Sequence, residues 1–254
     1  MKKSKRISIV FLIIMVISNL FILSGCKWNS NSIKKKVEAK LEEKYNQSFS
    51  TSAIGDRLTT DYTTLWCYPT NDKDILFEVT YYDNGEMTDD YIERKFECEL
   101  ERELISSLKS VNIQSTCKIS IDATERDKNK NYANMSLNEY IEDVGTEYLW
   151  TRLAIDTDSI KTEEDAQTLV NALENFSNKH NSVGILTPLY FAKHEQYNEV
   201  EEYFKKHISI EDTIHDYTKN SDKTQRETTI FVNRTKGSQT EIYPISIMEA
   251  AKVN

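Results

Sequence analysis

Four histidines are the first places to look for acid–base or metal chemistry in this chain: His180, His194, His207 and His215. All fall in the second half, and none is spaced as HxxxH or HExxH, so no single helix face carries a pair of zinc ligands. A general-base role for any of them requires partners brought in from distant parts of the chain. Carboxylates are more plentiful, and glycoside hydrolysis needs two of them facing each other across a bond. The first set, Glu93, Glu97 and Glu101, is expected on a solvated helix face with Arg94 and Arg102 nearby. The second, Glu163, Glu164 and Asp165, is expected to cap a helix. The stretch DTDS at 156–159 has the alternating oxygens of a calcium loop but neither the glycine nor the terminal glutamate of an EF-hand. SSLK, from Ser106 to Lys109, has the SxxK spacing of penicillin-binding proteins, yet it sits at a helix end with no KTG downstream. No GxSxG, phosphate-binding glycine loop or dinucleotide fingerprint occurs. The sequence therefore assigns no catalytic, metal or cofactor-binding residue.

Cysteine chemistry is more informative. Lys2, Lys3, Lys5 and Arg6 form a basic start, and Ile7 to Leu23 is almost wholly apolar, interrupted by Ser8, Ser18 and Asn19. Such a run suits an export signal or a membrane span of about 17–25 residues, so the residues at its foot decide between them. Those residues are Leu23-Ser24-Gly25-Cys26. They resemble the lipobox of bacterial lipoproteins, an apolar residue, two small ones and a cysteine. The resemblance covers residues 1–26. It implies a cleaved signal peptide over 1–25, a diacylglyceryl group and further acylation such as palmitate at Cys26, and a lipid anchor at the extracytoplasmic face of the cell membrane. Two acyl chains, at about 0.8 kcal/mol per buried CH₂, hold a protein to a bilayer where one does so only marginally. With Cys26 committed to lipid, Cys67, Cys98 and Cys117 allow at most one disulfide. Cys117 lies on the apolar parity of a strand, and Cys98 shares a helix face with Tyr91 and Ile105. Buried thiols are the favoured reading and one bridge the alternative.

Removing residues 1–25 takes away four basic residues and no acidic ones, leaving 28 Lys+Arg against 41 Asp+Glu, a net of −13. That balance argues against nucleic acid, whose binding rests on lysine and arginine neutralising phosphates. Lys27, Lys34, Lys35, Lys36 and Lys40 run against the trend beside the anchor, with Trp28 among them. They read equally well as a headgroup-binding cluster and as a solvated helix face. The tether, 26–32, is short: the six residues from Lys27 to Ser32 reach little more than about 20 Å when extended.

The elements that must position any site are read from periodicity. Val37, Leu41 and Tyr45 mark a helix over Lys34 to Tyr45. Thr60 to Tyr68 and Ile75 to Tyr82 read as a β-hairpin, with Ile75, Phe77, Val79 and Tyr81 on one parity. Thr88 is placed to cap a long helix whose stripe is Ile92, Phe96, Leu100, Leu104 and Leu108, and a strand carrying Val111, Ile113, Cys117, Ile119 and Ile121 comes after it. Capping boxes at Ser136/Glu139 and Thr162/Asp165 open two further helices. The second helix lies between a strand at 148–155, apolar on both parities and read as buried, and the stretch SVGIL, which predicts a βαβ crossover with parallel pairing. A helix near 195–206 and strands near 227–233 and 241–247 complete the set. Only six glycines and three prolines are present, so Asn and Asp must make the turns.

The expected fold class is α+β: mixed sheets with packed helices, a hairpin plus long helix in the first half and a βαβ-like unit in the second. One subdomain is expected over 33–125, a polar connection over 126–135 and a second subdomain over 136–254. The function expected is a non-enzymatic protein-binding module, immunity-like in its geometry, with membrane lipid (through Cys26) and another protein as partners and with no nucleic acid and no cofactor. The alternative is an envelope hydrolase whose site is assembled from residues distant in sequence. A solute-binding lipoprotein fits less well, because two ligand-clasping lobes generally need a longer chain.

Overall fold

A computed structural model of the chain describes residues 30–55, 60–123, 127, 130–181, 183–206, 224–232 and 247, and they form an α+β protein. Cys26, His207, His215 and all but Ile247 of the strand expected near 241–247 lie outside the described residues. Two compact units divide between Asp90 and Tyr91.

The first unit opens with α1, residues 30–45, which buries Ile33, Val37 and Leu41 on one face. Residues 30–33, before the expected Lys34, are already helical, so the stretch read as tether up to residue 32 runs into the helix. Asn46, at φ 53°, ends it in the left-handed conformation that asparagine tolerates. Four antiparallel strands come next in the order β1 (Phe49–Ile54), β2 (Tyr62–Pro69), β3 (Phe77–Tyr82) and β4 (Met87–Asp89). The hairpin read from alternation is β2–β3; β1 and β4 carry no comparable apolar alternation. Thr88 does not cap a helix but lies in β4 opposite Thr80. The reason is the turn at Gly85, φ 87°, which returns the chain to β3, while Asp90 Oδ1 accepts the Glu78 amide at 2.7 Å. Phe49, Leu65, Cys67, Phe77 and Val79 form the buried side of the sheet, each large apolar residue contributing about 1.5–3 kcal/mol by leaving water.

The second unit is built on a mixed sheet in the order β5 (Ser115–Ile121), β6 (Tyr148–Asp156), β7 (Gly184–Ala192) and β8 (Thr224–Val232). Strands β6 and β7 are parallel and the outer pairs antiparallel. The predicted crossover is α4 (Glu163–Lys179), opened by the Thr162/Asp165 capping box; α3 (Leu137–Asp143) opens on that of Ser136 and Glu139. Helix α2 (Tyr91–Ser110) buries its predicted stripe and packs against β5 and α4. The polar stretch at 126–135 does not divide the chain, because β5 before it pairs with β6 after it. Helix α5 (Tyr197–Lys206) covers one end of the opposite sheet face, packing Tyr197, Val200 and Phe204 on Ala154, Tyr190 and Ala192.

Candidate functional site

Parallel pairing sets Asp156, the last residue of β6, beside Ala192, the last of β7. The segment leaving β7 therefore meets Asp156, and that segment is a single 3-10 turn, His194–Gln196, leading into α5. His194 Nδ1 lies 2.7 Å from Asp156 Oδ2. The carboxylate is itself fixed: its side chain is 2% exposed, and Oδ1 accepts the Asp158 amide at 3.0 Å. The histidine side chain is 63% exposed. With Nδ1–H donated to Asp156, the neutral ring carries its lone pair on Nε2. The bond to Asp156, with the charges of Asp156, Asp158 and Glu195, raises the imidazole above its ordinary pKa. An aspartate that orients an imidazole and leaves the distal nitrogen open is the arrangement of a general base. Carboxyl ends of adjacent parallel strands are where α/β sheets place such groups.

DTDS and His194 each stand out in the sequence, as a failed calcium loop and a scattered histidine, and the fold makes one cluster of them. The signal that joins them is present in the chain: a βαβ crossover puts the ends of its two strands side by side. Among the described residues no group of histidine, cysteine and carboxylate side chains is arranged to hold a metal.

Alternate residues of β6 share the α5-bearing face of the sheet, and α5 covers only the end near Asp156. Toward the start of the strand Trp150 is 47% exposed. Arg152, two residues on, is half-buried and donates from Nη1 to the Tyr190 hydroxyl at 3.0 Å. Leu186 stands across from Trp150 on β7, half-buried, as is Pro188. An exposed tryptophan flanked by arginine and aliphatic surface on a rigid central strand has the composition of a protein-binding hot spot.

The other predicted positions are structural. His180 is 3% exposed, with Nδ1 3.0 Å from Asn138 Oδ1 and Nε2 3.0 Å from Glu103 Oε1, so both nitrogens are committed to tying α2, α3 and α4 together. Burial works against the Glu103 charge, but bonds from Lys179 and His180 outweigh it and hold the carboxyl below its usual range.

Glu97 and Glu101 are not on a solvated face as expected; both are buried, with Arg94. Arg94 bonds Glu97 Oε2 at 3.0 Å and forks onto both Glu101 oxygens at 3.0 and 3.2 Å. Lys118 adds a contact to Glu101 at 3.2 Å. Strand β5 is the sheet's edge, and the outward amides of Ile119 and Ile121 donate to Glu101 and Glu97 at 3.2 and 3.1 Å. Burial, against the pull of Arg94, pushes the Glu97 carboxyl up to about 7.

Glu163 and Glu164 stand with Asp165 in the first turn of α4. Ser106 and Lys109 of SSLK are exposed near the end of α2. Cys67, Cys98 and Cys117 are free and buried, and burial pushes the thiols of Cys67 and Cys98 up to about 11. Such thiols are poor nucleophiles. No helix among the described residues is long and apolar enough to cross a membrane.

No family model matches the chain, and no curated protein matches it. Among solved structures it is similar to a DUF5037 family protein from Ruminococcus gnavus, with a TM-score of 0.59, 15% identity, and coverage of 86% of this chain and 98% of that one. At that identity the likeness is one of fold.

Proposed function

We propose that the protein is a lipid-anchored binding module, held by Cys26 at the extracytoplasmic face of the cell membrane, that engages another protein through the face of the second unit's sheet centred on Trp150. The observation that carries this reading is the 47% exposure of Trp150 on a central strand, with Arg152 and Leu186 beside it. Leaving a tryptophan in water forgoes burial that a partner can supply, and aromatic and arginine anchors dominate the energetics of protein interfaces. The net charge of −13 once residues 1–25 are removed favours a partner with a complementary, cationic surface. The anchor confines the module to a thin layer, which raises its effective concentration toward anything arriving at that surface. The test is capture from intact cells by the lipidated protein. A specific partner retained by the wild type, and lost with either Cys26→Ala or Trp150→Ala, supports the reading; a partner list unchanged by Trp150→Ala contradicts it.

The second reading, an envelope hydrolase, is favoured by the Asp156–His194 pair. In it, His194 Nε2 removes a proton from water as the oxygen adds to an acyl carbon, Asp156 stabilises the imidazolium that forms, and the imidazolium returns the proton to the leaving oxygen as the acyl–oxygen bond breaks. Hydrolysis of p-nitrophenyl acetate by the mature protein is the measurement. A rate above background that Asp156→Asn and His194→Gln both abolish supports it, and a rate indifferent to both substitutions removes it.

A further inference from the structure

We propose that the outer face of α1, presenting Lys35, Lys36 and Lys40, is a docking surface for anionic phospholipid headgroups; this rests on the lipid-anchored reading above, since the anchor is what brings α1 to a bilayer. Helix α1 commits one face to the protein, where Ile33, Val37 and Leu41 are buried. Lys35, Lys36 and Lys40 are exposed, with Ala39 among them, and Lys34 is half-buried. None of these four lysines forms an ion pair among the described residues, whereas Lys44, in the last turn, is bound to Asp89 at 2.8 Å. The neighbouring carboxylate of Glu38 is occupied by the Thr51 amide at 2.9 Å.

Lys34, Lys35 and Lys36 are consecutive, and Lys40 stands one turn beyond Lys36. Chain length places them close to the anchor. Residue 30, the first described residue of α1, is four residues beyond Cys26, and four residues span at most about 14 Å. Lys27 and Trp28 fall within that connection, and tryptophan favours the headgroup layer. The rest of the mature chain is strongly acidic and is repelled by an anionic surface. Charges further than about 10 Å away are screened at 0.1 M salt, so the nearest group decides how the domain stands. The nearest group is cationic.

The test is lysine footprinting of the lipidated, full mature protein on vesicles of phosphatidylcholine alone and of phosphatidylcholine with phosphatidylglycerol. A water-soluble acylating reagent is read out by peptide mass, with exposed Lys73 and Lys109 as internal references. Each lysine near an anionic surface gains about fivefold in occupancy of the headgroup layer. Labelling of Lys35, Lys36 and Lys40 is therefore expected to fall about fivefold on the anionic vesicles and to recover in 1 M salt, where the screening length is about 3 Å. Lys73 and Lys109 should not change. A lipidated Cys26 peptide, with the three lysines as reactive on anionic as on neutral vesicles, would overturn the docking face alone. A Cys26 peptide without lipid would overturn the anchor and the docking face together.

Discussion

Each unit has an open sheet edge beside its leading helix, and each closes that edge with glutamate, but in different ways. In the first unit Glu38 of α1 accepts the Thr51 amide of β1 at 2.9 Å from a half-buried position, and it forms no ion pair among the described residues. In the second, Glu97 and Glu101 of α2 accept two amides of β5, are buried, and are accompanied by Arg94 and Lys118. An unpaired strand edge invites pairing with other chains, so both devices guard the fold. The contrast teaches how burial changes the cost. A carboxylate that keeps contact with water needs only the amide, whereas one withdrawn from water needs a counter-cation as well. The open pair Asp156–His194 fits neither pattern: its carboxylate is buried, yet its histidine partner stands in solvent.

These differences rank the consequences of substitution. The largest loss is expected from Glu101→Ala, which strands Arg94, Lys118 and the Ile119 amide together; about 3–5 kcal/mol should be lost in urea denaturation. A loss under about 1 kcal/mol would show that the cluster holds water and that the contrast between the units is false. Glu38→Ala should cost about 1 kcal/mol by the same measurement, because water can replace the missing acceptor. A third comparison uses pH. With the Glu97 carboxyl at about 7 in the folded protein, against 4.5 ordinarily, the folded state binds the extra proton between those values. Its contribution to stability is therefore present below 4.5 and is lost as pH rises through about 7; Glu97→Gln should flatten that slope. The smallest effect on stability is expected at Trp150→Ala, within about 0.5 kcal/mol, since the side chain is largely in water. A substantial loss there would mean that Trp150 is part of the core and not an anchor awaiting a partner.

The legible parts of the fold are those with local causes. Alternation marks β2 and β3, both capping boxes hold their helices, and asparagines at 46, 112 and 181 adopt positive φ where α1, α2 and α4 end. The parallel pairing of β6 and β7 is legible in the succession of a strand, a helix and a strand. The parts that escape depend on partners far away in the chain. Glu97 and Glu101 look solvated beside Arg94 until β5 is known to be an edge strand and its amides need acceptors. Asp156 and His194 are 38 residues apart, and only the register of two strands joins them. Exposure of Trp150 is equally invisible, because an apolar strand does not say how far a covering helix extends.

The most direct test places a photo-crosslinking amino acid at position 150 of the lipidated protein in its own membrane. The proposed function expects an adduct to one defined protein, absent when the crosslinker stands at Lys109 and absent with Cys26→Ala. A protein that carries lipid at Cys26 but gives no adduct from position 150 would contradict it.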